Sequence, residues 1–308
     1  MKLPSIPIWQ APTGSTGGPK LAAAISAAGG VGAMGLTWTD PETAAAWVTE
    51  IRTSTSNPFY VNFALAFEPV ALDAVLDAGA PMITFSWGSP APYVSRVRRS
   101  GASLGIQVFD RESILNALQF EPDFLVVQGI EAGGHVQSGL PLSEALQESK
   151  EVADNLPLIA AGGISTHEHI MELLHLGASG VILGTRFLAT VESNAHSEYK
   201  ALLVAHSDTS LTHCFNDGWP NSPHRVLMNS TFDAWKRASE PLPDHRPGEG
   251  AVIAKTARGE PIFRYEMAAP QEGMQGEIEA MCLYAGTGVR EIRSIPTVAD
   301  LLAELWRR

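Results

Sequence analysis

Cysteine is nearly absent from this 308-residue chain: Cys214 and Cys282 are the only two, far apart and in no Cys-x-x-Cys spacing. A disulfide framework and a cysteine zinc site are thereby disfavoured, and the reducing cytoplasm is the expected compartment. Basic charge is also scarce, with 21 Lys+Arg against 33 Asp+Glu and a net charge of −12. A surface that negative repels phosphate backbones and anionic lipid, so no nucleic acid and no membrane is expected as partner. Long apolar runs are missing too; none reaches the ~18 residues of a spanning helix. Met1–Gln10 holds one lysine, two prolines and no apolar core, so it does not read as a signal peptide.

What the chain does have is an ordinary globular balance, 45% hydrophobic and 18% charged, and a regular alternation of strand-like and helix-like runs. Strands are expected at Ile6–Ala11, Val31–Leu36, Phe59–Leu65, Met82–Trp87, Ser103–Phe109, Phe124–Ile130, Leu158–Ile164 and Val181–Leu188. Helical runs separate them. Asp40 before Pro41 is a helix start, Asp110 caps another helix, and Ser165 with Glu168 three residues on has the capping-box pattern. Eight successive units with mostly apolar strands predict an α/β fold, a (β/α)₈ barrel. The barrel is expected over residues 1–190 with 281–308 closing it. Residues 191–280 hold a proline-rich stretch without strand periodicity, and read as a smaller, mainly helical and irregular cap region over one barrel mouth.

Three apparent motifs carry no chemistry. Gly30–Gly35 spells GxGxxG, but a helix precedes it and a strand follows, the reverse of a dinucleotide site. Gly14–Lys20 fails the Walker A spacing. His167, His169 and His175 share a helix but not a face, so no metal is expected. His224 and the other scattered histidines stand alone.

Barrel chemistry sits in the loops after the strands. The loop after the sixth strand runs Gln128-Gly-Ile-Glu-Ala-Gly-Gly-His135, and His135 is the one histidine at a strand's C-terminal edge. An imidazole titrating near ~6.5 suits a general base; a half-buried histidine bonded to backbone is the structural alternative. Gly162-Gly163 after the seventh strand and Gly184-Thr185 on the eighth suit an anion site, because glycines let backbone N–H groups approach a phosphate. Gln107, on the fifth strand, is added from its position, where an amide could reach the polar edge of a bound ring.

Ile8–Pro12, Ala27–Gly35, Val61-Asn62, the octet Gln128–His135, Ala161–Ile164 and Gly184–Leu188 with Glu192-Ser193 together resemble the nitronate monooxygenase family, formerly 2-nitropropane dioxygenases. The likeness covers residues 6 to about 206 and, weakly, the tail Tyr284–Gly288. It implies an FMN barrel in which Asn62, Gln128 and Gly133 contact the isoalloxazine and ribityl parts. Gly163, Gly184 and Thr185 would hold the phosphate, Ala11 and Pro12 would lie against the ring, and His135 would face its reactive side. The implied activity is oxidation of nitronates or nitroalkanes by O₂ to a carbonyl compound and nitrite. An NAD(P)H-dependent flavin reductase of quinones or enoyl thioesters shares the octet, and a flavin-binding protein without turnover is the third reading. A small-molecule substrate and O₂ are the expected partners, with a homodimer left open. The chain departs from the family pattern at Thr13, Val136-Gln137 and Thr287, all on the substrate side.

Overall fold

A computed structural model describes residues 4–153, 155–219 and 221–307. The barrel strands are β1 (Ile8–Gln10), β2 (Gly32–Gly35), β3 (Phe59–Ala64), β4 (Met82–Ser86), β5 (Ser103–Val108), β6 (Phe124–Gln128), β8 (Leu158–Ala161) and β9 (Gly180–Leu183), while β7 is the two-residue Gly134–His135. All barrel pairings are parallel, in the order β1-β9-β8-β6-β5-β4-β3-β2. The ring closes through a parallel bridge between Trp9 and Val31, carried by Gln10 N–H to Val31 O at 2.8 Å and Val31 N–H to Ile8 O at 3.0 Å. The (β/α)₈ barrel expected from the alternation is the observed fold.

Period-two side chains divide the apolar residues into two cores. Ile8, Val61, Ile83 and Val127 face the helices outside, while Trp9, Tyr60, Phe124 and Ile159 fill the barrel. Trp9 sits between Tyr60 and Phe124 with ring centroids 5.6 and 5.3 Å away. Gly105 belongs to this floor, since a Cβ there would collide with the Phe124 ring. The barrel is therefore plugged below and open only above, where the strand-end loops lie.

The outer helices are α1 (Gly18–Ala27), α2 (Pro41–Ser54), α3 (Leu72–Asp77), α4 (Val94–Ser100), α5 (Arg111–Leu118), α6 (Leu142–Val152) and α7 (His167–His175). Two expected caps form: Asp40 accepts from Thr43 N–H at 2.9 Å and Asp110 from Ser113 N–H at 2.8 Å. One cap differs. Thr166, not Ser165, accepts from His169 N–H, because the Ser165 hydroxyl instead donates to Gly288 O at 2.8 Å. The eighth strand is also shorter than expected: it stops at Leu183, and Thr185–Leu188 turns into the one-turn helix α8. His167 lies against the chain's last helix, its Nδ1 3.0 Å from Leu305 O.

Residues 191–280, expected as a mainly helical and irregular cap, hold short strands as well as helices. They contain α9 (Ser197–Ala205) and α10 (Ser230–Arg237), but also strands β10 (Thr209–Thr212), β11 (His224–Leu227), β12 (Val252–Lys255), β13 (Pro261–Phe263) and β14 (Gln275–Gly276). These strands are two to four residues long, too short for alternation to register in the sequence. β10 and β11 form an antiparallel sheet with β7 of the barrel loop, and β12–β14 form a second. The chain closes with α11 (Val298–Leu305), whose first N–H bonds to the Glu192 carboxylate. Among the described residues no helix is long and apolar enough to cross a membrane.

Candidate active site

Above the barrel floor lies one cavity of about 860 Å³, within the ~300–1,000 Å³ typical of small-molecule sites. All ten residues singled out in the sequence line it: Ala11, Pro12, Asn62, Gln107, Gln128, Gly133, His135, Gly163, Gly184 and Thr185. They come from six different strand ends, which the parallel barrel brings to one rim.

One wall is backbone. Gly162 and Gly163 adopt φ of +146° and +65°, conformations that L side chains rarely take. A Cβ on Gly163 would also stand 2.5 Å from Thr287 Oγ1 and 2.8 Å from Glu131 Cβ. Gly184 packs against Ala11, and the Thr185 hydroxyl accepts from Gly286 N–H at 2.9 Å, tying the tail to this wall. Among the described residues no lysine or arginine lines the cavity. An anion here would be held by backbone N–H groups rather than by cationic side chains.

A second part of the lining is side chains. Glu131 anchors the loop Gln128–His135 by accepting from Leu142 N–H at 3.0 Å, at the start of α6. Gln128 staples the loop from within, its amide donating to His135 O at 3.2 Å and accepting from Gln137 N–H at 2.8 Å. Both ends of the Gln128 amide are thus spent on the protein. Gln107 likewise donates to Gln137 Oε1 at 2.9 Å, and Asn62 donates to Thr84 Oγ1 at 3.0 Å.

His135 is not in a free loop. It sits in β7, paired with His224 of β11, so the cap sheet sets its position. Its Nε2 is buried with no hydrogen-bond partner. Burial, and secondarily the nearby His224, push its pKa down to about 3, so the imidazole is neutral at ordinary pH. His224 is itself fully buried, with Nδ1 3.1 Å from Ser222 O and Nε2 accepting from Phe215 N–H at 3.1 Å. Those bonds assign the proton to Nδ1 and leave His224 nothing to offer a ligand.

Four aromatic residues of this wall were not singled out in the sequence: Trp38, Trp87, Trp219 and Tyr284, all lining the cavity. Trp219 lies nearly face-on to the His135 ring, with centroids 4.2 Å apart and planes 31° off parallel. Tyr284 flanks the same imidazole at 5.5 Å and Trp87 at 6.1 Å. Trp219 and Tyr284 reach the site from the cap and the tail, about 84 and 149 positions beyond the histidine in sequence, so local spacing could not reveal them. The signal available was composition: a tryptophan in a Gly-Trp-Pro turn inside an irregular stretch.

Comparison with known proteins agrees with this geometry. The nitronate monooxygenase family model matches residues 64–307. A nitronate monooxygenase of Pseudomonas aeruginosa is 29% identical, with 93% of this chain and 96% of that protein aligned. A (3aS,4S,5R,7aS)-5-hydroxy-7a-methyl-1-oxo-octahydro-1H-indene-4-carboxyl-CoA dehydrogenase of Rhodococcus jostii is also 29% identical, over 72% of this chain and 62% of that protein. Among solved structures, a nitroalkane oxidase of Streptomyces ansochromogenes superposes with a TM-score of 0.78 at 27% identity, covering 98% of this chain and 95% of the other. FabK of Thermotoga maritima superposes with a TM-score of 0.78 at 26% identity, over 98% and 92%.

Proposed function

Because the chain belongs to the nitronate monooxygenase family, we propose that it is an FMN-dependent enzyme that oxidises nitronates and nitroalkanes with O₂ to a carbonyl compound and nitrite. The observation that carries this reading is the imidazole of His135, whose Nε2 has no hydrogen-bond partner, in the lining of a cavity that also takes in the glycine ends of β8 and β9. A buried polar atom without a partner costs about 1–3 kcal/mol, and a ligand that reaches His135 would supply the partner.

The cavity fits a flat cofactor with one phosphate. Gly163 and Gly184 bring backbone without a side chain to the cavity, with Thr185 beside them, which suits phosphate held by N–H groups. Ala11 and Pro12 would give a small apolar surface for the ring, and the Asn62 and Gln107 amides would serve its polar edge. Gln128 serves indirectly, by holding the His135 loop. When bound, FMN supplies the one-electron oxidation, chemistry that belongs to the cofactor.

The protein's own contribution is proton control and shielding. His135 accepts the α-proton of a neutral nitroalkane, and a preformed nitronate needs no such step. A conjugate acid near 3 makes the imidazole a weak base. Its protonated form is stabilised only when the nitronate charge develops beside it. Nitronates are therefore the better substrates. Trp87, Trp219 and Tyr284 cover the imidazole and keep water from it.

The alternative, an NAD(P)H-dependent reductase of quinones or enoyl thioesters, would bring several phosphates to the cavity mouth. Among the described residues the charged side chains lining the cavity are Glu266 and Asp217, the latter paired with Arg246, and no lysine or arginine is there to hold such a ligand. Anaerobic addition of ethylnitronate, NADH and NADPH separately to the purified yellow enzyme distinguishes the two. Flavin bleached by ethylnitronate, with nitrite released in air, is the expected result; bleaching by a nicotinamide alone overturns the proposal.

A further inference from the structure

The Trp219 ring covers one face of the His135 imidazole. One face lies on the imidazole at 4.2 Å. Trp87, Phe67 and Trp38 pack on it edge-on, with centroids at 4.8, 5.1 and 6.0 Å. Only 8% of the residue is exposed, although it lines the cavity. At the outer edge Trp38 is 55% exposed and marks the way in.

The loop that carries Trp219 is held from behind. Arg246, buried under the cap, donates to Asn216 Oδ1 at 3.0 Å and to Asp217 Oδ1 at 2.7 Å, and pairs with Glu249. Its guanidinium stacks 4.3 Å from the Tyr265 ring centroid. Asn216 O in turn accepts from Trp219 N–H at 3.1 Å, closing a turn through Gly218 at φ +93°. A planar, five-donor guanidinium gripping two successive side chains leaves that turn little freedom.

We propose that Trp219 sets substrate length, admitting short-chain nitronates and excluding long ones, and that Arg246 is the positioning residue that fixes it there. The inference rests on the nitronate reading above. With the nitronate head at His135, the indole packed on that imidazole at 4.2 Å stands beside the reacting carbon. The alkyl tail then runs into the indole after a few carbons. One methylene gained or lost in an apolar pocket changes kcat/KM by roughly 10–200-fold, so a closed end produces a sharp cutoff.

The test measures kcat/KM for nitronates from ethyl to octyl in the wild type, Trp219→Phe, Trp219→Ala and Arg246→Lys. The wild type is expected to favour ethyl over octyl, and Trp219→Ala to raise the octyl-to-ethyl ratio by at least ~10-fold. Trp219→Phe should fall between, and Arg246→Lys should shift the ratio in the same direction, which a general loss of folded enzyme would leave unmoved. Calorimetric binding of butyrate and octanoate, unreactive anions of similar shape, to the purified protein gives a readout without turnover. Octanoate affinity is expected to rise in Trp219→Ala while butyrate affinity does not. If the wild type turns over no nitronate, the proposed function fails and the alkanoate result alone decides this inference. Equal turnover of ethyl and octyl nitronates by the wild type overturns it, as does an octyl-to-ethyl ratio or alkanoate preference unchanged in both Trp219 variants. Should Trp219→Ala not fold, Trp219→Phe and Arg246→Lys carry the same comparison.

Discussion

The glycine wall of the cavity, Gly162–Gly163 with Gly184–Thr185, and the aromatic wall, His135 with Trp87, Trp219 and Tyr284, are built by different means. The first is backbone at two successive strand ends, and each residue is placed by the barrel's own repeat. The second is side chains drawn from a barrel loop, the cap and the tail, with His135 itself pinned by a cap strand. A wall of the first kind tolerates little substitution at Gly163, where a Cβ would stand 2.5 Å from Thr287 Oγ1. A wall of the second kind can change its rings and keep the fold. On the proposed function, cofactor binding would belong to the barrel's own repeat and substrate choice to the cap.

The largest effect expected from breaking this division is at Gly163. Gly163→Val puts a branched side chain at φ +65° against Thr287 and Glu131, and strain of ~1–3 kcal/mol adds to the clash. The purified variant should lose its bound flavin, seen as missing visible absorbance. Flavin retained at wild-type stoichiometry would remove the glycine wall from the cofactor site.

His135→Asn comes next. Turnover of neutral nitroethane should drop by ~10²–10⁴-fold, the usual worth of a positioned base, while ethylnitronate turnover drops far less. Equal losses on both substrates would mean that His135 shapes the wall without moving a proton.

The pH dependence is a finer probe of the same residue. With its conjugate acid near 3, His135 should leave kcat/KM for nitroethane without an acid limb at pH ~6.5, the ordinary histidine value. The same depression acts on stability. His135 and His224, at about 3 and 4, bind fewer protons folded than unfolded. Their contribution is whole above pH ~6.5 and is lost as pH falls from there toward 3–4. Thermal melts at pH 7.5 and 5 should show the loss, reduced in His135→Asn.

The smallest effect is expected at Glu131. Glu131→Ala removes the acceptor for Leu142 N–H at the start of α6, a cap worth ~1 kcal/mol, or ~2–4 °C in Tm. A shift confined to Tm, with flavin content intact, would place Glu131 outside the chemistry.

Much of this was legible in the residues. The order of strands followed from eight apolar runs separated by capped helices at Asp40 and Asp110. The glycine wall followed from glycine pairs at two consecutive strand ends. The misreadings have a common cause. The helix start at Ser165 failed because Gly288, 123 positions away, competes for its hydroxyl. The cap strands escaped notice because two to four residues carry no period. Gln128 lines the cavity, and nothing in the sequence signalled that its amide also bonds His135 O and Gln137 N–H.

By itself the sequence determined what depends on local period and local chemistry: the (β/α)₈ repeat, the loops that must carry the site, and the histidine at a strand edge. Tertiary structure alone decided what depends on contacts between distant segments. It paired His135 with His224, laid Trp219 on the imidazole, and clamped that tryptophan from Arg246. The physical reason is that strand and helix formation is written in neighbours a few residues apart, whereas desolvation of His135 and closure of its compartment come from side chains that only folding brings within 6 Å.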